Sequence, residues 1–127
     1  MMQYMASTQD PVGPDNWERQ VKKGWLELAI LASLWNEKSY GLDILRSLEK
    51  DTDLVVAEGT IYPILARLKA EGLVDTKWVE ADSGHPRKYY WLTPAGRRRA
   101  VAMARYASGF LAAIDALIAP LLEKEEE

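Results

Sequence analysis

The stretch GTIYPILARLKAEG, residues 59–72, decides the fold. Its apolar residues recur at helical spacings of three and four and therefore face one way: Ile61, Ile64, Leu65 and Leu68. The remaining faces carry a hydroxyl, two rigid rings and two cations: Thr60, Tyr62, Pro63, Arg67 and Lys69. Pro63 fits only near a helix start, so we expect the helix to begin near residues 58–60 and Gly72 to end it. This pattern is typical of a DNA recognition helix, although the stretch taken alone fits an ordinary packing helix better.

The residues before this stretch predict two further helices. Apolar positions recur at spacings of three and four over residues 17–37 and become so dense that more than one side must be buried. Ser39 is a candidate cap for a second helix over residues 40–50, followed by a turn at 51–53 and a short β-type run at 54–56. Helix, turn and helix of these lengths predict a helix-turn-helix arrangement.

After Gly72 the periodicity changes to two, which predicts a β-hairpin. Residues 73–80 and 87–92 alternate, and the polar segment 81–86 between them is typical of a turn. Such a hairpin directly after a recognition helix is the wing of a winged helix. One face of its second strand carries Lys88, Tyr90 and Leu92, and the other carries Arg87, Tyr89 and Trp91.

The last segment predicts a long helix that starts with Thr93 as cap and Pro94 at its first position, and that ends or kinks at Pro120. A heptad-like stripe, which we expect to form a dimer interface, consists of Met103, Ala107, Phe110, Ile114, Leu117 and Leu121. A second stripe lies beside it: Ala104, Leu111, Ile118 and Leu122. One helix cannot bury both stripes on so small a domain, so we expect a homodimer. The alternative is a helix folded back on its own core.

Composition excludes several classes of protein. The 127 residues suffice for one domain, and the absence of cysteine excludes disulfides and thiolate metal sites. The single histidine cannot hold a metal by itself, and no common catalytic motif is present, so we expect no enzyme, metal or cofactor. Without a charge-free apolar run of about 18 residues or a signal peptide, we expect a cytoplasmic protein with no membrane partner.

The net charge of −3 conceals an uneven distribution. Residues 1–58 carry −4, residues 59–105 carry +5, and residues 106–127 carry −4. Because contacts with phosphate depend on local potential, a basic middle third is compatible with DNA binding by an acidic chain.

Several motifs now occur together in a recognisable order. They are Tyr40-Gly41, the GTIYP start at residues 59–63 with Arg67-Leu68 and Glu71-Gly72-Leu73, and the segment RKYYWLTPAG at residues 87–96. Over about residues 24–100 the chain resembles the PadR family of transcriptional regulators, specifically its small subgroup with a single C-terminal helix. The resemblance implies a dimeric winged helix-turn-helix repressor that leaves a palindromic operator when it senses a small molecule.

The chain departs from the family pattern at two places. Ala57 and Glu58 stand where the recognition helix often has a Ser or Thr cap, which contributes about 1 kcal/mol, so we expect a looser helix start. Gly84-His85-Pro86 replaces a wing sequence that often carries another arginine, so a titratable histidine stands in place of a fixed cation.

The predicted fold is therefore mainly α with a small β-hairpin. We assign residues 1–15 to a flexible tail, 16–93 to the winged helix-turn-helix, 94–122 to the dimerisation helix and 123–127 to an acidic tail. The DNA-binding candidates are Tyr40, Gly41, Thr60, Tyr62, Pro63, Arg67, Lys69, Lys77, His85, Arg87 and Lys88. For Arg67, a guanine, a phosphate or an intramolecular carboxylate are all open as partners.

Five tryptophans in so short a chain suggest an apolar cleft at the centre of the dimer, lined by residues of the first and last helices. Candidates to line a site for a flat aromatic or hydrophobic effector are Trp17, Trp25, Met103, Tyr106, Ala107 and Phe110. A plain dimer core explains the same residues equally well. The main alternative function is a winged helix used for protein assembly. The sequence does not distinguish a ligand-responsive repressor from an activator or from a regulator without a ligand.

Overall fold

In a computed structural model, the backbone is described over residues 14–80 and 84–126, and the side chains over 16–80 and 84–123. The elements in chain order are α1 (Pro14–Ser33), β1 (Ser39–Tyr40), α2 (Gly41–Thr52), α3 (Glu58–Ala70), β2 (Val74–Glu80), β3 (Pro86–Leu92) and α4 (Pro94–Glu126). The strands form one antiparallel sheet in the order β1-β3-β2. The structure confirms a mainly α winged helix-turn-helix with a long C-terminal helix. The predicted tail at residues 1–15 lies outside the described residues except for Pro14 and Asp15, which begin α1.

The core forms where the first three helices meet the inner face of the sheet. Its fully buried side chains are Ile30, Leu31, Ile44, Ile61, Leu65, Leu68 and Val74. Each large aliphatic side chain removed from water contributes about 1.5–3 kcal/mol. The apolar face predicted for α3 is therefore the face that holds this helix on the body of the domain.

Both ends of α3 agree with the sequence prediction. Ala57 is its N-cap and makes no side-chain capping bond, so nothing in this position replaces the missing Ser or Thr. At the other end Gly72 has φ 77°, and the Leu73 N–H donates to the Leu68 carbonyl at 2.9 Å. The Gly72 N–H donates to the Lys69 carbonyl at 3.0 Å, which completes a Schellman cap.

Three predictions about the first half were wrong in detail. The first helix ends at Ser33 rather than near Glu37, because the N–H groups of Leu34 and Trp35 bond to carbonyls three residues back. Residues 54–56 form no strand, since Asp53 at φ 64° turns the chain and the Leu54 N–H bonds to the Thr52 hydroxyl.

The start of α2 also differs from the prediction. Ser39 does not cap it; Tyr40 is the N-cap, without a side-chain capping bond, and Ser39 belongs to β1. Ser39 pairs with Tyr90, and Tyr40 with Tyr89, so the hairpin is extended into a three-stranded sheet. A strand of two residues has too little periodicity to be recognised in the sequence, because its existence depends on pairing with β3.

The junction between the hairpin and α4 is fixed by Thr93. Its hydroxyl accepts from the Gly96 N–H at 3.0 Å, as the predicted cap requires, and donates to the Gly72 carbonyl at 2.6 Å. Of the two alternatives predicted for Pro120, an end of the helix was wrong, because α4 continues through Pro120 to Glu126. Proline removes one backbone donor, and the neighbouring Ala and Leu residues are strong helix formers that continue the helix beyond it.

Candidate nucleic-acid interface

A cleft of about 530 Å³ separates the exposed side of α3 from the β2-β3 hairpin. Aromatic rings and cations dominate its wall. Among the predicted DNA-binding residues, the following line it: Tyr40, Gly41, Tyr62, Lys69, Arg87 and Lys88. The fold therefore brings together, on one face of the domain, residues that lie up to 48 positions apart in the chain.

Tyr62 lies directly on Gly41 at the first turn of α2. A Cβ added to Gly41 would lie 2.6 Å from Tyr62 Cε1 and 2.7 Å from its hydroxyl oxygen, so only glycine admits the ring at this position. Partial burial, and secondarily the Glu58 carboxylate, raise the pKa of Tyr62 above its usual value. The phenol is therefore a neutral donor, held beside a helix start whose N–H groups have no side-chain cap.

The floor of the cleft is Tyr90, which is buried on the inner face of β3. Burial, with a smaller effect from Tyr62, raises its pKa. Thr76 on the adjacent strand contributes a buried Oγ1 atom that has no hydrogen-bond partner among the described residues. The two phenols and this hydroxyl give a mainly aromatic cleft a small number of polar groups.

The two cations at the start of β3 each rest on an aromatic ring. The Arg87 guanidinium lies 5.0 Å from the centroid of Tyr40, and Lys88 Nζ lies 5.2 Å from that of Trp78 on the opposite face of the sheet. Tyr40 in turn stacks on Tyr89 with centroids 4.6 Å apart. Cation–π contacts restrict the side chains while leaving their N–H groups outward, so the wing presents two oriented positive charges.

Lys38 and Trp78 belong to this surface and were not among the predicted residues. Lys38 Nζ lies 5.5 Å from the Tyr89 centroid and 5.9 Å from that of Trp91. Trp78 is 62% exposed and pairs in register with Lys88. The alternation of β2 was the available signal for Trp78, whereas Lys38 is brought to the sheet only through β1.

On α3, Thr60 and Pro63 are exposed as predicted, but the two cations have partners within the chain. Lys69 Nζ lies 3.4 Å from Asp75 Oδ1; the Thr76 N–H, and then Lys69, lower the pKa of the Asp75 carboxyl. Arg67 Nη1 lies 3.2 Å from Glu71 Oε2, and its Nη2 lies 3.1 Å from Glu27 Oε1.

Of the three partners that the sequence left open for Arg67, the structure shows an intramolecular carboxylate. The hydrogen bond to Glu27, and then that to Glu71, raise the pKa of Arg67 above its usual value. Glu27 is shared, because Arg99 Nη2 lies 3.2 Å from its Oε2 atom.

The two remaining predicted residues of the hairpin, Lys77 and His85, are exposed and lie at the edge of this region. Lys77 is on β2 opposite Tyr89, and His85 immediately precedes β3. Within residues 14–80 and 84–126, no group of three His, Cys, Asp or Glu side chains is placed to hold a metal ion. The described surface is therefore aromatic and cationic.

A second cleft, of about 580 Å³, lies between α1 and α4. The predicted effector-binding residues that line it are Trp25, Met103, Tyr106, Ala107 and Phe110. Trp17 is 64% exposed and does not line it. Arg99 stands at the margin of this cleft while it contacts Glu27, so the cleft and α3 share one carboxylate.

Much of the apolar surface of α4 is uncovered. Ala107 is buried and Ile114 is half-buried, but six large apolar side chains beyond Ala107 are exposed: Phe110, Leu111, Leu117, Ile118, Leu121 and Leu122. By length and composition alone, Pro94–Glu123 would suffice to cross a membrane, which for a single helix is weak evidence. Asp115 interrupts the apolar surface of this segment.

Comparison with known proteins agrees with this geometry. Residues 30–102 match the model of the transcriptional regulator PadR-like family. The chain is similar to a PadR-like transcription factor from Bacteroides fragilis, at 37% identity and TM-score 0.66, over 80% of this chain and 98% of that one.

Two further solved structures are similar. A PadR-like regulator from Bacillus cereus has 30% identity and TM-score 0.70, over 78% of this chain and 96% of that one. A PadR family regulator from Eggerthella lenta has 27% identity and TM-score 0.73, over 82% and 90%. Because the family model covers more than half of the residues, the chain belongs to the PadR-like family of transcriptional regulators.

Proposed function

We propose that the protein is a homodimeric repressor that binds a palindromic operator and is released by a small hydrophobic or aromatic molecule. The observation that carries the DNA-binding part is the convergence of Tyr62, the uncapped start of α2 and the wing cations on one cleft. Phenolic and backbone donors with fixed cations are the groups that proteins use on phosphate. The exposed side of α3, with Thr60 and Pro63, then enters the major groove.

The wing contacts the DNA backbone beside that groove. Arg87 and Lys88 lie on opposite faces of β3, so together they can meet phosphates on two sides or straddle a minor-groove edge. Lys77 and His85 add contacts at the outer end of the hairpin. This division assigns residues 16–93 to DNA binding.

The exposed stripes on α4 support the homodimer. Phe110, Leu117 and Leu121 are 48%, 73% and 66% exposed, which is unfavourable for large apolar side chains unless a partner covers them. Met103 and Ala107 continue the same stripe toward the domain, and Ile114 lies between Phe110 and Leu117. A two-fold interface along residues 94–122 places two copies of α3 on successive turns of DNA, which accounts for a palindromic operator.

The cleft between α1 and α4 supports the effector. Its volume of about 580 Å³ suits a small molecule, and its aromatic wall suits a flat one. The same surface is adjacent to the proposed dimer stripe, so a ligand there is placed to alter the spacing of the two DNA-binding domains. We propose a cytoplasmic location, where such a regulator meets DNA.

A winged helix for protein assembly is the second candidate, and the exposed aromatic residues Trp78 and Tyr62 are what favour it. Fluorescence anisotropy separates the two functions. The intact chain is titrated into labelled DNA from upstream of its own gene and into a scrambled duplex, at low and near-physiological salt. Tight binding to the first duplex alone at higher salt supports the proposal. No binding to either duplex favours the assembly function, and equal binding to both that is lost at higher salt means electrostatics alone and contradicts sequence-specific recognition of this DNA.

A further inference from the structure

Glu27 on α1 is the meeting point of two arginines from two other helices. Arg67 on α3 lies 3.1 Å from its Oε1 atom, and Arg99 on α4 lies 3.2 Å from its Oε2 atom. The carboxylate is 18% exposed, whereas the two arginine side chains are 47% and 51% exposed. The acid is therefore the fixed member of the group, and the arginines are the members that are free to move.

Arg67 stands on the part of α3 that faces away from the core. Thr60, Pro63 and Arg67 follow one another at spacings of three and four, so they share one exposed helix face. With Glu27 as its partner, Arg67 bends toward α1 instead of projecting from that face. The Arg67 guanidinium can contact a phosphate or a base only when it breaks its contact with Glu27.

Arg99 connects the same carboxylate to the second cleft. It lines the space between α1 and α4 and bonds to Glu27 through both Nε, at 3.3 Å, and Nη2. A small molecule in that cleft that draws Arg99 away leaves the Glu27 carboxylate to Arg67 alone. Partly exposed ion pairs contribute little net free energy, so such an exchange needs only a modest competing interaction.

We propose that Glu27 is a positioning residue that controls how much of the Arg67 charge reaches DNA, and that Arg99 competes with Arg67 for it. The proposal rests on the DNA-binding function above. Occupation of the cleft strengthens the hold of Glu27 on Arg67 and weakens DNA binding. Loss of the Glu27 charge has the opposite effect and frees Arg67 for the DNA. Glu71, which moves with α3, remains as a weaker partner.

The test measures operator affinity as a function of salt for the intact chain and the variants Glu27→Gln, Arg67→Gln and their double variant. Glu27→Gln is expected to bind about fivefold more tightly and to steepen the salt slope by about 0.9 per protomer, the value of one added phosphate contact. The double variant is expected to lose this gain. A variant that merely loosens the fold would not steepen the slope.

Two additional variants provide a charge control and an independent test. Glu18→Gln removes the same charge from an exposed position on α1 and is expected to leave the slope unchanged. Arg99→Gln is expected to weaken operator binding in the wild-type background, and to have no effect when Glu27 is glutamine. If Glu27→Gln does not fold, the effect of Arg99→Gln in the wild-type background decides the matter.

The outcomes distinguish a failure of the proposed function from a failure of the role of Glu27. A wild-type chain that does not distinguish the operator from a scrambled duplex overturns the proposed function. A wild-type chain that does, with an unchanged slope in Glu27→Gln and unchanged affinity in Arg99→Gln, overturns only the role of Glu27. The role of Glu27 is also overturned if Glu18→Gln gains the same affinity and slope, or if the double variant keeps the gain of Glu27→Gln. Either result would mean that the effect is general electrostatics.

Discussion

The ring of Tyr62 occupies the space where residue 41 would carry a side chain. A Cβ at Gly41 would lie within 3 Å of the Cε1, hydroxyl oxygen and Cζ atoms of Tyr62. The contact joins the exposed side of α3 to the first residue of α2, whose N-cap makes no side-chain bond. The two helices of the helix-turn-helix are thus held in register at the proposed phosphate site by a residue without a side chain.

Gly41→Ala is expected to weaken operator binding about tenfold, because the displaced phenol loses a hydrogen bond to charged phosphate worth about 1.5 kcal/mol. Tyr62 is 37% exposed, so its ring moves outward and the fold survives. Anisotropy titrations measure the affinity. In a Tyr62→Ala background the added Gly41→Ala should have no further effect, and equal losses in both backgrounds would contradict the contact as the cause.

Replacing Arg87 and Lys88 with alanine is expected to flatten the salt dependence of DNA binding. Each lost phosphate contact lowers the slope of log affinity against log salt by about 0.9. The matched control removes two exposed cations of α1, Lys22 and Lys23, and should change the slope much less. An unchanged slope in the wing variant would remove these residues from the interface.

Phe110→Asp combined with Leu117→Asp is expected to abolish the dimer, since two charges would be buried in an apolar interface. Sedimentation velocity measures the assembly. Ala112→Asp with Ala116→Asp places the same charges on exposed positions off both stripes and should leave the dimer intact. A dimer that survives the first pair would refute the assignment of the interface to α4.

Gly96→Ala is expected to reduce the free energy of unfolding by about 3 kcal/mol. Its Cβ would overlap the carbonyl oxygen of Leu73, a backbone atom that the Thr93 N–H also bonds, so neither side can move freely. Urea denaturation measures the loss. Gly109→Ala, where an added Cβ meets nothing within 4 Å, should instead stabilise the protein by about 0.5–1 kcal/mol. Equal stability of the two variants would contradict the packing of α4 on residue 73.

Local patterns were sufficient to predict most of the fold. The period of α3, its Schellman cap at Gly72 and the Thr93 cap of α4 depend on neighbours in the chain, and the structure confirms them. Features set by distant residues were missed. The strand β1 exists only because Ser39 and Tyr40 pair with β3, and the early end of α1 is hidden because Leu34 continues the apolar spacing as a buried turn residue.

The sequence predicted which residues belong to the candidate site better than it predicted which partners they contact. The exposed set on α3 and the wing cations follow from helical and strand periodicity. Arg67 was a candidate because of its position on that set, but its partner Glu27 lies 40 residues away and no local pattern points to it. Lys38 became part of the surface only through the pairing of β1, and Trp17 does not line the cleft between α1 and α4.

Hydroxyl-radical footprinting of the intact protein on DNA upstream of its own gene tests the central claim most directly. A homodimer with α3 in the major groove is expected to protect two symmetric half-sites about 10 base pairs, or a multiple of that, apart. Protection should persist at near-physiological salt. Uniform or absent protection, or one unrepeated protected site, would contradict a dimeric regulator that reads DNA through α3 and the wing.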